Sequence, residues 1–146
     1  MTILLLIHVI AAIVAVGANL TYAIWFRAAG TDQDRLVFVT RTVGMIDSRV
    51  ANPAYVVLLI TGVLMVLGGV FSFTTGWILA AIGLYIATAV IGIVAFGPAI
   101  RRQLVEAERG IDSEAYRAAA SRSTALGILT TILVLLIVVL MVTKPF

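Results

Sequence analysis

Any chemistry this chain performs has to begin from a single histidine. His8 is the only one in the sequence, and it lies in a stretch, Thr2 to Phe26, with no formal charge at pH 7. An ionisable side chain in such a stretch is a functional candidate by default, because burying one in hydrocarbon is costly. Its imidazole can ligate haem iron if one ring nitrogen is free and small residues leave room beside it. Steps of three and four from His8 reach Ala12, Ala15, Asn19, Tyr22 and Phe26, which share one helix face. Met65, on the next span, lies by counting at nearly the depth of His8, so a His/Met axial pair on haem is one arrangement the spacing allows. The plainer alternatives are an imidazole bonded to a neighbouring helix and a methionine that packs.

The other polar groups inside apolar stretches are Asn19, Tyr22, Thr61, Tyr85, Thr88, Thr124 and Thr131. They form either a polar lining or bridges between helices, each bridge worth roughly 1 kcal/mol or less. Gly62 and Gly69 on the second span, Gly83 and Ala87 on the third, and Gly127 on the last are expected to let helices approach closely. No acid or lysine falls within a span, so a proton relay or a carrier of charged substrates lacks its usual parts. There is no cysteine, which excludes disulfides and thiol chemistry. No phosphate loop, catalytic carboxylate pair or zinc cluster is present, and no intramembrane acid orients His8 as a base, which weighs against hydrolysis.

These residues need helices to position them, and the helices need lipid. The chain has 146 residues, 62% hydrophobic and 12% charged, with a mean hydropathy of +1.17. Soluble domains carry about 25% charged residues, and a small globule cannot bury this much apolar surface. The net charge of +3 reads as topology signalling and not as nucleic-acid binding. The runs predict an all-α polytopic bundle with spans at about 2–26, 53–71, 77–98 and 123–143, alternating up and down in an antiparallel four-helix arrangement. Met1–Phe26 reads as a span and not as a signal peptide, having no basic start and too long an apolar run.

Between the first two spans, Leu36, Val39, Val43, Ile46 and Val50 alternate steps of three and four opposite Arg35, Arg41 and Asp47. That is an amphipathic helix over about 32–50, lying at the membrane surface or under the bundle. Thr31 and Asp34 have capping-box spacing. Asn52-Pro53 reads as the start of the second span, and Phe71, Phe73 and Trp77 as an interfacial belt. Pro98 is expected to kink the third helix or end its membrane part, while the helical pattern continues to about Arg109, beyond the bilayer, within a charged hairpin over 99–122. Gly110 is expected to end a helix, and Asp112 or Ser113 to cap the next.

The charges sort by connection. Every arginine and every acid lies after the first span or after the third, on the same side of a four-span protein, and the other side holds only Lys144. By the positive-inside rule both charged connections are cytoplasmic and both termini outside.

The order and spacing of LLLIHVIAAIVAVG, RTVGMID, NPAYVVLLITGV, GWILAAIGLY, PAIRRQL and VLMVTKP resemble the bacterial integral membrane family catalogued as domain of unknown function 2269, over nearly the whole chain. That resemblance implies a small four-span protein of the bacterial cytoplasmic membrane and no established activity. The "LLIHV" of the first helix also looks like HemJ-type haem-binding protoporphyrinogen oxidases and copper-resistance D-like membrane proteins. The HemJ likeness implies haem at His8; that family also relies on an intramembrane lysine, which is missing here. The reading favoured is a non-enzymatic accessory, assembly or structural protein, in contact with lipid and with other membrane subunits or itself. A haem-binding electron-transfer or haem-handling protein using His8 is second, and a small-molecule transporter third.

Overall fold

The computed structural model describes residues 2–69 and 72–145, and these are helical with no strand among them. Helix α1 runs over Thr2–Ala29, α2 over Gln33–Ile46, α3 over Asn52–Leu67, α4 over Gly76–Val90, α5 over Gly97–Arg109 and α6 over Glu114–Thr143. Two π-helical turns, Asp47–Ala51 and Ile91–Phe96, join α2 to α3 and α4 to α5 without a break. Four continuous helices result, Thr2–Ala29, Gln33–Leu67, Gly76–Arg109 and Glu114–Thr143, each long and apolar enough to cross a membrane. The shortest, 28 residues, is about 42 Å long at 1.5 Å per residue, which exceeds the hydrocarbon thickness.

The joins differ from the expected breaks for one physical reason. Proline has no N–H to donate, and its ring crowds the carbonyl four residues back. Each π turn stands just ahead of a proline, Pro53 or Pro98, and widens the spiral there. The Asn52 N–H reaches the Asp47 carbonyl and the Gly97 N–H the Gly92 carbonyl, five residues back in both cases. Helix α3 thus starts at the expected Asn52-Pro53 but without a break from α2, and the third long helix runs on past Pro98 to Arg109, as far as the pattern predicts.

The true starts are capped by side chains. Asp32, one residue after the expected Thr31, accepts the Arg35 N–H at 2.9 Å, and Ser113 accepts the Tyr116 N–H at 3.1 Å. Gly30 and Gly110 carry positive φ where α1 and α5 stop. The Phe73 and Trp77 of the aromatic group are at the start of α4, with Lys144 Nζ 5.9 Å from the Trp77 ring centre; Phe71 lies outside the described residues.

Lipid-facing helices bury little of themselves, and the one dense core forms where the charged connections meet. Tyr22 and Ala29 of α1, Leu36, Val39 and Val43 of α2, Phe96, Ile100 and Ala107 around α5, and Tyr116 of α6 make up this core. The rings of Tyr22 and Phe96 stack with centroids 6.4 Å apart. Two buried polar side chains, Gln103 and Ser123, hydrogen-bond each other beside it. Exposed Arg41 and Glu108 pair across α2 and α5 at 2.8 Å, a solvated contact that adds little.

Packing is uneven around the bundle. Helix α1 packs on α3, α2 and α6, and α4 packs on α6; α3 and α4, though consecutive in the chain, share no backbone contact among the described residues.

Candidate functional site

The gap between α3 and α4 is a cavity of about 290 Å³. Its polar lining comes from every transmembrane helix: Asn19 of α1, Asp47 and Asn52 at the α2–α3 join, Tyr55 of α3, Tyr85 and Thr88 of α4, and Thr130 of α6. Val56 and Ile93 line it too, and both are more than half exposed, so the cavity is a cleft open on that side.

Hydrogen bonds hold its walls. The Asn19 amide donates to the Tyr55 hydroxyl at 2.6 Å and to the Ala15 carbonyl at 3.3 Å. The Tyr85 hydroxyl donates to the Tyr55 carbonyl at 2.8 Å, which ties α4 to α3 across the gap. The Thr88 and Thr130 hydroxyls return to carbonyls of their own helices, a local bond that satisfies a hydroxyl in apolar surroundings. The Asn52 amide lies 3.4 Å from the Asp47 carboxylate. The Tyr22 hydroxyl is buried, finds no hydrogen-bond partner at normal geometry, and lies within electrostatic reach of that carboxylate. No arginine or lysine lines the cleft, and Asp47 forms no ion pair among the described residues.

His8 belongs to a separate polar contact. Its Nδ1 is 2.7 Å from the Thr61 hydroxyl, which donates its own hydrogen to the Val57 carbonyl at 2.7 Å. A hydroxyl has one hydrogen: while it goes to the Val57 carbonyl, Thr61 can only accept from His8, and the proton is then on Nδ1; in the other tautomer the hydroxyl donates to Nδ1 instead. Gly62 lies flat against the ring: a Cβ there would be 3.4 Å from His8 Cε1. Met65 is buried one turn beyond Thr61. The cleft lining does not include His8 or Met65.

The remaining candidates divide. Ala15 is fully buried, Tyr22 and Thr88 are buried, Ala12 is half-buried, and a Cβ on Gly127 would meet the Phe96 ring at 3.4 Å. Gly83 and Ala87 face outward, and nothing lies within 4 Å of a Cβ built on Gly83. Helix α4 turns Ala81 and Thr88 inward in their place. Gly69 is a turn glycine with φ +77° and, among the described residues, no neighbour within 4 Å of a Cβ built on it. Thr124 is exposed, and α6 packs through Ser123, Thr130 and Val134.

The model of one protein family, described as predicted integral membrane protein (DUF2269), matches residues 2–145. The chain belongs to that family. No curated protein and no solved structure matches it. Membership of DUF2269 makes this an integral membrane protein in contact with the bilayer, and the family description assigns no activity. The acid at the cleft escaped the sequence reading: Asp47 falls on the polar side of the α2 stripe, where solvent was its natural surroundings. The signal was its spacing of five from Asn52 and eight from Tyr55, which share a face once the π turn is known.

Proposed function

We propose that this member of DUF2269 is a non-enzymatic binding protein of the carrier type, and that the cleft between α3 and α4 is where it holds a small molecule. The carrying observation is the cleft itself: two consecutive spans that do not pack, with polar side chains from all four transmembrane helices between them. Packed membrane helices normally meet through small residues, with their polar groups bonded to one another. Here a gap of ligand size is kept, its walls fixed by Asn19, Tyr55 and Tyr85. The accessory and assembly roles remain compatible with such a site, and the outward Gly83 and Ala87 suit contact with another helix.

The same reading sets both termini outside and both arginine-bearing connections in the cytoplasm of a bacterial inner membrane. The pairing of His8 with Thr61 and Asn19 with Tyr55 supports opposed directions for α1 and α3.

The test uses the absence of cysteine. Ala89 lines the cleft, whereas Ile86 is an exposed residue of α4 away from it. In lipid nanodiscs, the Ala89→Cys thiol is expected to react with N-(2-hydroxyethyl)maleimide at least about tenfold faster than the Ile86→Cys thiol, because a thiol needs water to form the reactive thiolate. Equal, slow rates would remove the cleft as a binding site.

A second reading has its own observation. The Thr61 hydroxyl partners His8 Nδ1, and such a partner on one ring nitrogen is typical of histidines that ligate a metal through the other. Absorption spectra of protein made with haem in supply, beside His8→Ala, decide it: a Soret band lost in the variant supports haem, and a featureless spectrum rejects it.

A further inference from the structure

We infer that the cleft takes an organic monocation with an apolar body, its charge opposite Asp47 and its flanks against Tyr55, Tyr85 and Phe96. The inference rests on the binding role proposed above and names the occupant. Charge is the first argument. The lining carries one carboxylate and no basic side chain. A half-buried carboxylate without an ion pair is costly in a low-dielectric site, and a cation in the cleft removes that cost. An anion would add a like charge.

The kind of cation follows from the rest of the wall. A metal ion seeks several oxygen or nitrogen ligands at once, and no group of three acidic, histidine or cysteine side chains exists among the described residues. A volume of about 290 Å³ is far larger than a bare ion and suits a small organic molecule. Aromatic rings are what an alkylated ammonium prefers, since their faces attract a cation that has no N–H to donate. Three aromatic side chains line this cleft. Tyr55 and Tyr85 are held in place, one receiving the Asn19 amide and the other bonded to the Tyr55 carbonyl, so little ordering is left for binding to bring about. The opening past Val56 and Ile93 gives an apolar body a way in.

Protection of the Ala89→Cys thiol in nanodiscs tests this with three probes of one shape. Benzyltrimethylammonium is the cation, neopentylbenzene its neutral carbon isostere, and phenylmethanesulfonate an anion. The expected result is that the cation slows labelling by N-(2-hydroxyethyl)maleimide about tenfold more than either of the others, a difference within the range for a desolvated cation on aromatic rings. Adding Asp47→Asn should bring cation and isostere to the same protection, and Asp47→Glu should restore the difference. Equal protection by cation and isostere with Asp47 in place, or better protection by the anion, overturns the inference while the accessible cleft stands. A thiol that stays unlabelled with no probe present overturns the binding role first and this inference with it. Should Asp47→Asn fail to insert, the three-probe contrast with Asp47 in place is sufficient to uphold or overturn the inference.

Discussion

At the scale of single residues, the His8–Thr61 contact makes the sharpest test, because with the Thr61 hydroxyl donating to Val57 it selects the tautomer protonated at Nδ1. Thr61→Val keeps the shape and removes the acceptor, leaving the Nδ1 proton unpaired at a cost of about 1 kcal/mol. Nitrogen NMR of labelled His8 should show one tautomer in the parent and a mixture in Thr61→Val; the same mixture in both would mean that the contact does not select. Gly62→Ala places its Cβ at ordinary contact distance from the ring, 3.4 Å. It should leave the melting temperature unchanged or raise it, by up to about 1 kcal/mol of helix propensity. The sequence offered His8 and Thr61 separately, as a candidate ligand and a polar lining residue, and only the facing of α1 and α3 makes them a pair. Asp47 shows the converse. Its place opposite an apolar stripe looked like solvent, and its role at the cleft depends on a turn that no periodicity reports.

Among the elements, the two proline-associated π turns carry the most consequence. A π turn amounts to one residue more than an α-helix needs. Deleting Val94, an exposed residue of the second turn, should restore α spacing while leaving the faces of α4 and α5 in register. Pro98 would then sit in a regular helix at a cost of about 3 kcal/mol. Thermal unfolding should therefore show a large loss for the deletion alone and recovery of most of it with Pro98→Ala; additive losses would mean that the turn does not serve the proline. The start at Asn52-Pro53 and the reach of helix to about Arg109 were legible, and the π turns were not, because proline at a helix start and proline after a widened turn look the same in one dimension. Which faces of α4 and α6 turn inward was left open for a related reason. Helices that are apolar all round have little amphipathic signal, so Ala81 and Ser123 could not be told from Ala87 and Thr124 by pattern.

For the whole molecule, the sequence carried what length and charge can carry. Four spans and the gathering of arginines at two connections were legible, because a bilayer imposes both. The cleft was not, since it arises where the backbones of α3 and α4 stay apart. Stability at this scale is expected to come largely from the core near the charged connections. Val43 is almost fully buried there, and Val43→Ala should cost about 2 kcal/mol, read as a lower melting temperature in detergent. Lipid-facing Ile3→Ala should cost little by comparison. The proposed orientation predicts that alkaline phosphatase fused after Phe146 is active and that a fusion in the 99–122 connection is silent; the reverse pattern would invert the topology.

The make-up of that core also sets an order of events during synthesis. Its parts come from α1, α2, the α4–α5 join, α5 and the first turn of α6, so Tyr116 is the last contributor to leave the ribosome. Until then the apolar sides of α2 and α5 have only part of their cover, while the first three membrane-crossing helices have already been made. Insertion into lipid therefore runs ahead of tertiary closure, and the fourth span arrives with the piece that seals the aqueous end. A stalled nascent chain with only residues up to about 113 outside the ribosome would hold three inserted helices over an unclosed core, a form exposed to proteases on that one side of the membrane.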